Sequence, residues 1–113
     1  MKELEKDERL LCELQGKIFE KSVEEYGTSS AVFVRRYMNS DYAARMDRIG
    51  FIDRPTDEQE AFASLDAQYG SSQYGSELFS PEEMFWMGYI YRYWVCAYDV
   101  SSKAVYKTSN VRE

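Results

Sequence analysis

The chain of 113 residues is expected to be all-α, a compact bundle of about five helices built around an aromatic-rich helix near the C-terminus. Three observations predict this class. Apolar side chains recur at helical spacing through the first quarter of the chain. Helix-capping signatures precede most of the later apolar segments. Residues 84–98, MFWMGYIYRYWVCAY, place seven aromatic side chains behind the strongest of those caps. A chain of this length has room for one core, so residues 1–113 are read as a single helical domain.

The first helix rests on Leu4, Leu11 and Ile18, which repeat every seven residues, with Leu10, Leu14, Phe19 and Val23 widening the stripe. Its other face is glutamate and lysine, and Tyr26-Gly27 is the expected end because glycine terminates helices readily. Thr28, Ser29 and Ser30 offer N-caps for a second helix containing Val32, Phe33, Tyr37 and Met38. Asn39-Ser40-Asp41 reads as a short break before a third helix that closes near Gly50. Thr56-Asp57-Glu58-Gln59 resembles a capping box, with Thr56 as cap and Gln59 reaching back to it, for a fourth helix through Ala61, Phe62 and Leu65. Residues 68–76, QYGSSQYGS, are expected to form a loop.

Ser80-Pro81-Glu82-Glu83 is the clearest local instruction: serine as N-cap, proline in the first turn, and Glu83 completing the box. On a helical wheel of the segment that follows, Gly88, Arg92 and Asp99 share one narrow wedge and apolar residues fill the rest. Trp86, Ile90, Tyr93, Trp94 and Ala97 group on one side and are expected to be the core seam. The edges at Tyr89, Tyr91 and Tyr98 are expected to meet another protein, since tyrosine suits interfaces that are apolar at one end and wet at the other. A short closing helix capped at Ser101 or Ser102 carries Ala104 and Val105, and the tail SNVRE is expected to fray.

Charge is unevenly distributed. Residues 1–26, 31–54, 55–83 and 84–113 carry nets of −3, +2, −7 and +2 within an overall −6. That balance argues against nucleic acid and suits a basic partner, with Asp57, Glu58 and Glu60 as candidate contacts. The alternative is a DNA-binding regulator of helix-turn-helix type over residues 28–50, using Arg35, Arg36, Arg45 and Arg48.

No histidine is present, which removes the usual general base near neutral pH and the familiar nucleophile pairings. Cys12 and Cys96 lie far apart, have no metal-ligand spacing, and read as packed thiols. No phosphate loop, dinucleotide fingerprint or metal motif occurs, so no catalytic, cofactor or metal residue is assigned and no enzyme activity is expected. The aromatic run contains Arg92 and is shorter than a spanning helix needs. The start MKELEKDERLLCELQ lacks a signal peptide's apolar stretch, so a cytoplasmic location is expected.

The segments KELEKDERLLCELQGKIFEKS, YGSELFSPEEMFWMGYIYRYW and SSKAVYK together resemble a family of small bacterial proteins associated with toxin-antitoxin cassettes. Its members are similar in the leucine-rich first helix, the Ser-Pro-Glu-Glu cap and the Gly-Tyr-Ile-Tyr-Arg-Tyr-Trp core, and extend further beyond Ser-Ser-Lys. The resemblance implies an antitoxin or accessory protein that binds a toxin and has no catalysis of its own. It supplies no functional residues. Surplus aromatic surface further suggests a homodimer.

Overall fold

A computed structural model describes residues 4–49, 57–70 and 75–109. Six helices and no strand occur among them: α1 (Lys6–Glu25), α2 (Ser30–Met38), α3 (Asp41–Ile49), α4 (Glu58–Tyr69), α5 (Pro81–Tyr98) and α6 (Ser102–Ser109). The radius of gyration, 13.0 Å, is that of a compact chain of this size.

Local chemistry sets most of the boundaries. Glu5 opens α1 by donating its backbone N–H to Glu8 Oε1 at 3.0 Å. The helix ends at Tyr26, but Gly27 does not supply a left-handed turn. Tyr26 swings extended because its ring is drawn into the core, 5.3 Å from Phe33 and 6.3 Å from Phe62. Ser29 caps α2 by accepting from Val32 N at 3.3 Å, and Ser40 caps α3 by accepting from Ala43 N at 3.1 Å. The fourth helix is capped one residue later than expected: Asp57 Oδ1 accepts from Glu60 N at 3.0 Å. Gln59 turns away and donates to Glu25 Oε1 at 2.9 Å; Thr56 lies outside the described residues. Helix α4 then runs through Tyr69 into what was expected to be loop, and stops at Gly70, whose φ of 76° favours glycine.

The box at the start of α5 forms as expected, with Glu83 N donating to Ser80 Oγ at 3.1 Å and Ser80 N to Glu83 Oε1 at 3.0 Å. Asp99 closes that helix in the left-handed region, and Ser101 caps α6 by accepting from Ala104 N at 3.0 Å. The tail from residue 110 lies outside the described residues.

The most enclosed helix is α2, not α5. Seven of its nine residues are buried, and α1, α3, α4 and α6 surround it. Phe19, Phe33 and Tyr37 form an edge-to-face cluster, with Phe19 centred 5.3 Å from Phe33 and 5.1 Å from Tyr37. Such contacts add roughly 0.5–1.5 kcal/mol each beyond area burial. Helix α5 lies antiparallel along α1 at one side of the bundle, since Cys12 pairs with Cys96 while Phe19 lies against Gly88.

The expected core seam of α5 is largely inverted, although Trp94 does pack against the core cluster. Met84, Gly88, Tyr91, Arg92 and Val95 face inward. Trp86 and Ile90 stand outside at 52% and 54% exposure, with Tyr93, Trp94 and Ala97 half-buried. Two physical facts override the wheel. Glycine allows α1 to approach more closely than any residue with a side chain, and the arginine finds enough hydrogen-bond partners inside to offset its burial.

Candidate functional site

Two features of the α1–α5 pair are candidates for function: a polar cluster beneath it and an apolar face above it.

The cluster is centred on Arg92, only 1% exposed. Its Nη1 donates to Asp47 Oδ1 at 2.7 Å, its Nε and Nη2 donate to Gln15 Oε1 at 3.0 and 2.9 Å, and Nη2 also reaches Ser102 Oγ at 3.3 Å. Gln15 Nε2 donates to the Gly88 carbonyl at 2.9 Å, and Tyr37 OH donates to Gln15 Oε1 at 3.0 Å. Asp47 accepts from both the backbone N–H and the hydroxyl of Ser102, each at 2.7 Å. One guanidinium therefore joins α1, α3, α5 and α6 directly, and α2 through Gln15. Arginine suits this role because its fork bonds two acceptors at once and stays charged when buried.

Sequence reasoning set Arg92 in a narrow wedge with Gly88 and Asp99 without giving it a partner, read Ser102 only as a candidate helix cap, and gave Gln15 and Asp47 no part in a buried cluster. One signal was present: Gln15 interrupts the apolar line of Leu11, Ile18 and Phe19 at a position where a hydrophobe would be expected.

Burial pushes the Tyr37 phenol well above its ordinary 10.0, and the hydrogen bond with Cys96, reinforced by burial, pushes the Cys12 thiol above its ordinary 9.0. Both groups are neutral in the folded and unfolded chain at neutral pH, where their stabilisation is complete. As pH rises through 9.0 and 10.0 the unfolded chain ionises them and the folded chain does not, so stability falls. The urea midpoint is expected to hold up to the thiol range and then decline, with each group contributing up to about 1.4 kcal/mol per pH unit. Tyr37→Phe should flatten that decline; parallel curves for the variant and the wild type would show that Tyr37 is not its source.

The expected interface residues do not form one patch. Tyr91 is buried at 9% exposure with its ring against Phe19, and is a core residue. Tyr89 is half-buried, its ring centre 5.6 Å from that of Trp86, and burial raises its phenol pKa. Tyr98 is 54% exposed at the C-terminal end of α5. Asp57, Glu58 and Glu60 lie at the other end, where α4 begins beside the close of α1. The length of α5, roughly 27 Å for its 18 residues, separates Tyr98 from them, and Tyr89 stands midway. Glu58 is held by Lys21 at 3.0 Å, and that bond lowers its carboxyl pKa.

The four arginines of the alternative reading are spread over two helices. Arg35 and Arg48 are exposed, Arg36 lies 5.4 Å from the centre of the Tyr69 ring and donates to Tyr26 OH, and Arg45 lies 5.9 Å from the Tyr42 ring centre. Asp47 of α3 turns inward to Arg92. Among the described residues no helix is long and apolar enough to cross a membrane, and no group of three or more Cys, Asp or Glu is placed to hold a metal ion.

No protein-family model matches this chain, and neither a curated protein nor a solved structure is found to be similar to it.

Proposed function

We propose that this chain is a non-catalytic, cytoplasmic protein-binding module, an antitoxin-like component that holds a basic toxin through its acidic end. The observation that carries the reading is the gathering of carboxylates where α1 closes and α4 and α5 begin. Glu24 and Glu25 end α1, Asp57, Glu58 and Glu60 open α4, and Glu82 and Glu83 open α5. Lys21 bonds Glu58 and Gln59 bonds Glu25, which ties the first two groups together. Lys17 and Glu20 line an open groove with Glu82, which ties in the third.

Glutamates in the last turn oppose the dipole of α1, at a cost of about 0.3–1 kcal/mol each. The N-terminus of α4, set against them, offsets part of it. An acidic end maintained in this way suits a partner rich in lysine and arginine, with fast, salt-dependent association. The resemblance of the Ser-Pro-Glu-Glu and Gly-Tyr-Ile-Tyr-Arg-Tyr-Trp segments to a toxin-antitoxin family supports the same class of partner.

The test is co-expression with the product of the adjoining gene, which this reading expects to be a basic toxin. Wild-type protein should restore growth and co-purify with the toxin at low salt, and Glu24→Lys with Glu82→Lys should lose both effects while remaining folded. Undiminished toxicity in the presence of the wild type would end this reading.

A further inference from the structure

We infer that the outer face of the α1–α5 pair is closed by a second copy of this chain, packed antiparallel about a two-fold axis. Trp86, Ile90, Tyr93 and Ala97 recur at intervals of four, three and four, the spacing of a helix–helix seam, and lie opposite the inward face of α5, with Trp86 and Ile90 exposed and Tyr93 and Ala97 half-buried. Exposure of both a tryptophan and an isoleucine on one helix face is the composition of an interface centre rather than of a solvated surface.

The choice of partner follows from charge and volume. The stripe is bordered along α1 by Arg9, Glu13, Lys17 and Glu20, all exposed. Arg9 and Glu13 act electrostatically on Tyr89, and Lys17 and Glu20 share the groove with Phe85 and Trp86, so all four border α5. Their signs alternate, positive, negative, positive, negative. A copy laid antiparallel reverses that order and sets Arg9 over the partner's Glu20 and Glu13 over the partner's Lys17.

The same axis fits the seam. The midpoint of the charged border falls between Leu14 and Gln15, and Gln15 is bonded to Gly88 and Arg92, at the level of the stripe's own centre between Ile90 and Tyr93. Antiparallel pairing then sets Trp86 against the partner's Ala97, large against small, and Ile90 against the partner's Tyr93. A standard interface takes roughly 800 Å² from each partner, about an eighth of the 6672 Å² surface here, an area that two full helices side by side can supply. The inference stands apart from the toxin reading: the two surfaces adjoin at the groove of Lys17, Glu20, Glu82 and Trp86, but Glu24, Glu25 and the carboxylates that open α4 follow the charged border of α1 and would be presented twice, at opposite ends of the dimer.

Sedimentation equilibrium from micromolar to submillimolar concentration tests it. The wild type should dimerise, and Ile90→Glu, at a site already open to solvent, should keep its helical signal and unfolding midpoint while weakening the dimer at least about thirtyfold, the scale of one hot spot. Arg9→Glu and Glu20→Arg should each weaken it, and the double variant should recover. Arg9 and Glu20 lie 11 positions apart on one helix, roughly 16 Å, too far to pair within a chain, so recovery identifies contact between copies. A monomeric wild type would overturn the inference and leave the seam to a different protein. A dimer that Ile90→Glu leaves intact, or a double variant that fails to recover, would overturn it equally.

Discussion

Replacing Arg92 by alanine is expected to remove about 3–5 kcal/mol of stability, the cost of breaking a buried ion pair by deleting one member. The magnitude follows from what is left behind. Asp47, with only 12% of its side chain exposed, keeps the two Ser102 donors but loses its countercharge at 2.7 Å. Gln15 Oε1 loses two of its three donors, and the space vacated by the largest fully buried side chain among the described residues must collapse or fill with water. Since a domain of this size is typically stable by 5–15 kcal/mol, the loss is a large fraction of the total.

Arg92→Lys should recover only part of it, because a single ammonium cannot repeat the fork that holds Asp47 and Gln15 together. Arg92→Met combined with Asp47→Asn should cost clearly less than the sum of the two single changes, since the pair is removed as a unit. Urea unfolding followed by circular dichroism measures all five variants, the two single changes of the pair included. A loss below about 1 kcal/mol for Arg92→Ala would show that the cluster is incidental to the fold.

The division between what was legible in the sequence and what was not runs between local and distant chemistry. Ser80 and Glu83 satisfy each other across three residues, and the break at Asn39-Ser40-Asp41 works through Ser40 and the Ala43 amide. Such bonds are encoded within a window that can be read along the chain. The orientation of α5 is not. Hydrophobicity ranks Trp86 and Ile90 above Gly88 and Arg92, and a wheel built on that ranking turns the helix the wrong way. What decides the matter is a partner 77 positions away, Gln15, whose side chain bonds both Arg92 and the Gly88 carbonyl. The candidate interface shares this fate. The grouping of Trp86, Ile90, Tyr93 and Ala97 with Trp94 was visible and was assigned to the core, but which side of the helix would be covered depended on contacts between helices that no periodicity records. Tyr26 illustrates the same limit at smaller scale: the end of α1 was placed correctly, yet the core, through Phe33 and Phe62, sets it rather than the adjacent glycine.

Gly88→Ala is expected to destabilise the protein by about 1–3 kcal/mol, although alanine is the better helix former by roughly 1 kcal/mol. A Cβ at this position would sit 2.6 Å from the Gln15 carbonyl oxygen and 2.7 Å from Phe19 Cγ. The first of these is backbone, and the second is the root of a ring fixed edge-on between Phe33 and Tyr37, so neither can swing aside as a flexible side chain would. The helices must separate, and separation lengthens the Gln15 bond to the Gly88 carbonyl and both Gln15 bonds to Arg92. Gly16→Ala should cost less, because the nearest atoms to its added carbon, at 2.9 and 3.0 Å, belong to the partly exposed Phe85 ring, although the Phe85 carbonyl also lies at 3.0 Å. The order of loss, Gly88 before Gly16, is readable from urea midpoints. It also carries the argument about the outer face: Trp86 and Ile90 point away from the core because Gly88 and Arg92 point into it. If Gly88→Ala proves neutral or stabilising, the close crossing is not what turns α5, and the outward placement of its aromatic stripe loses its physical cause.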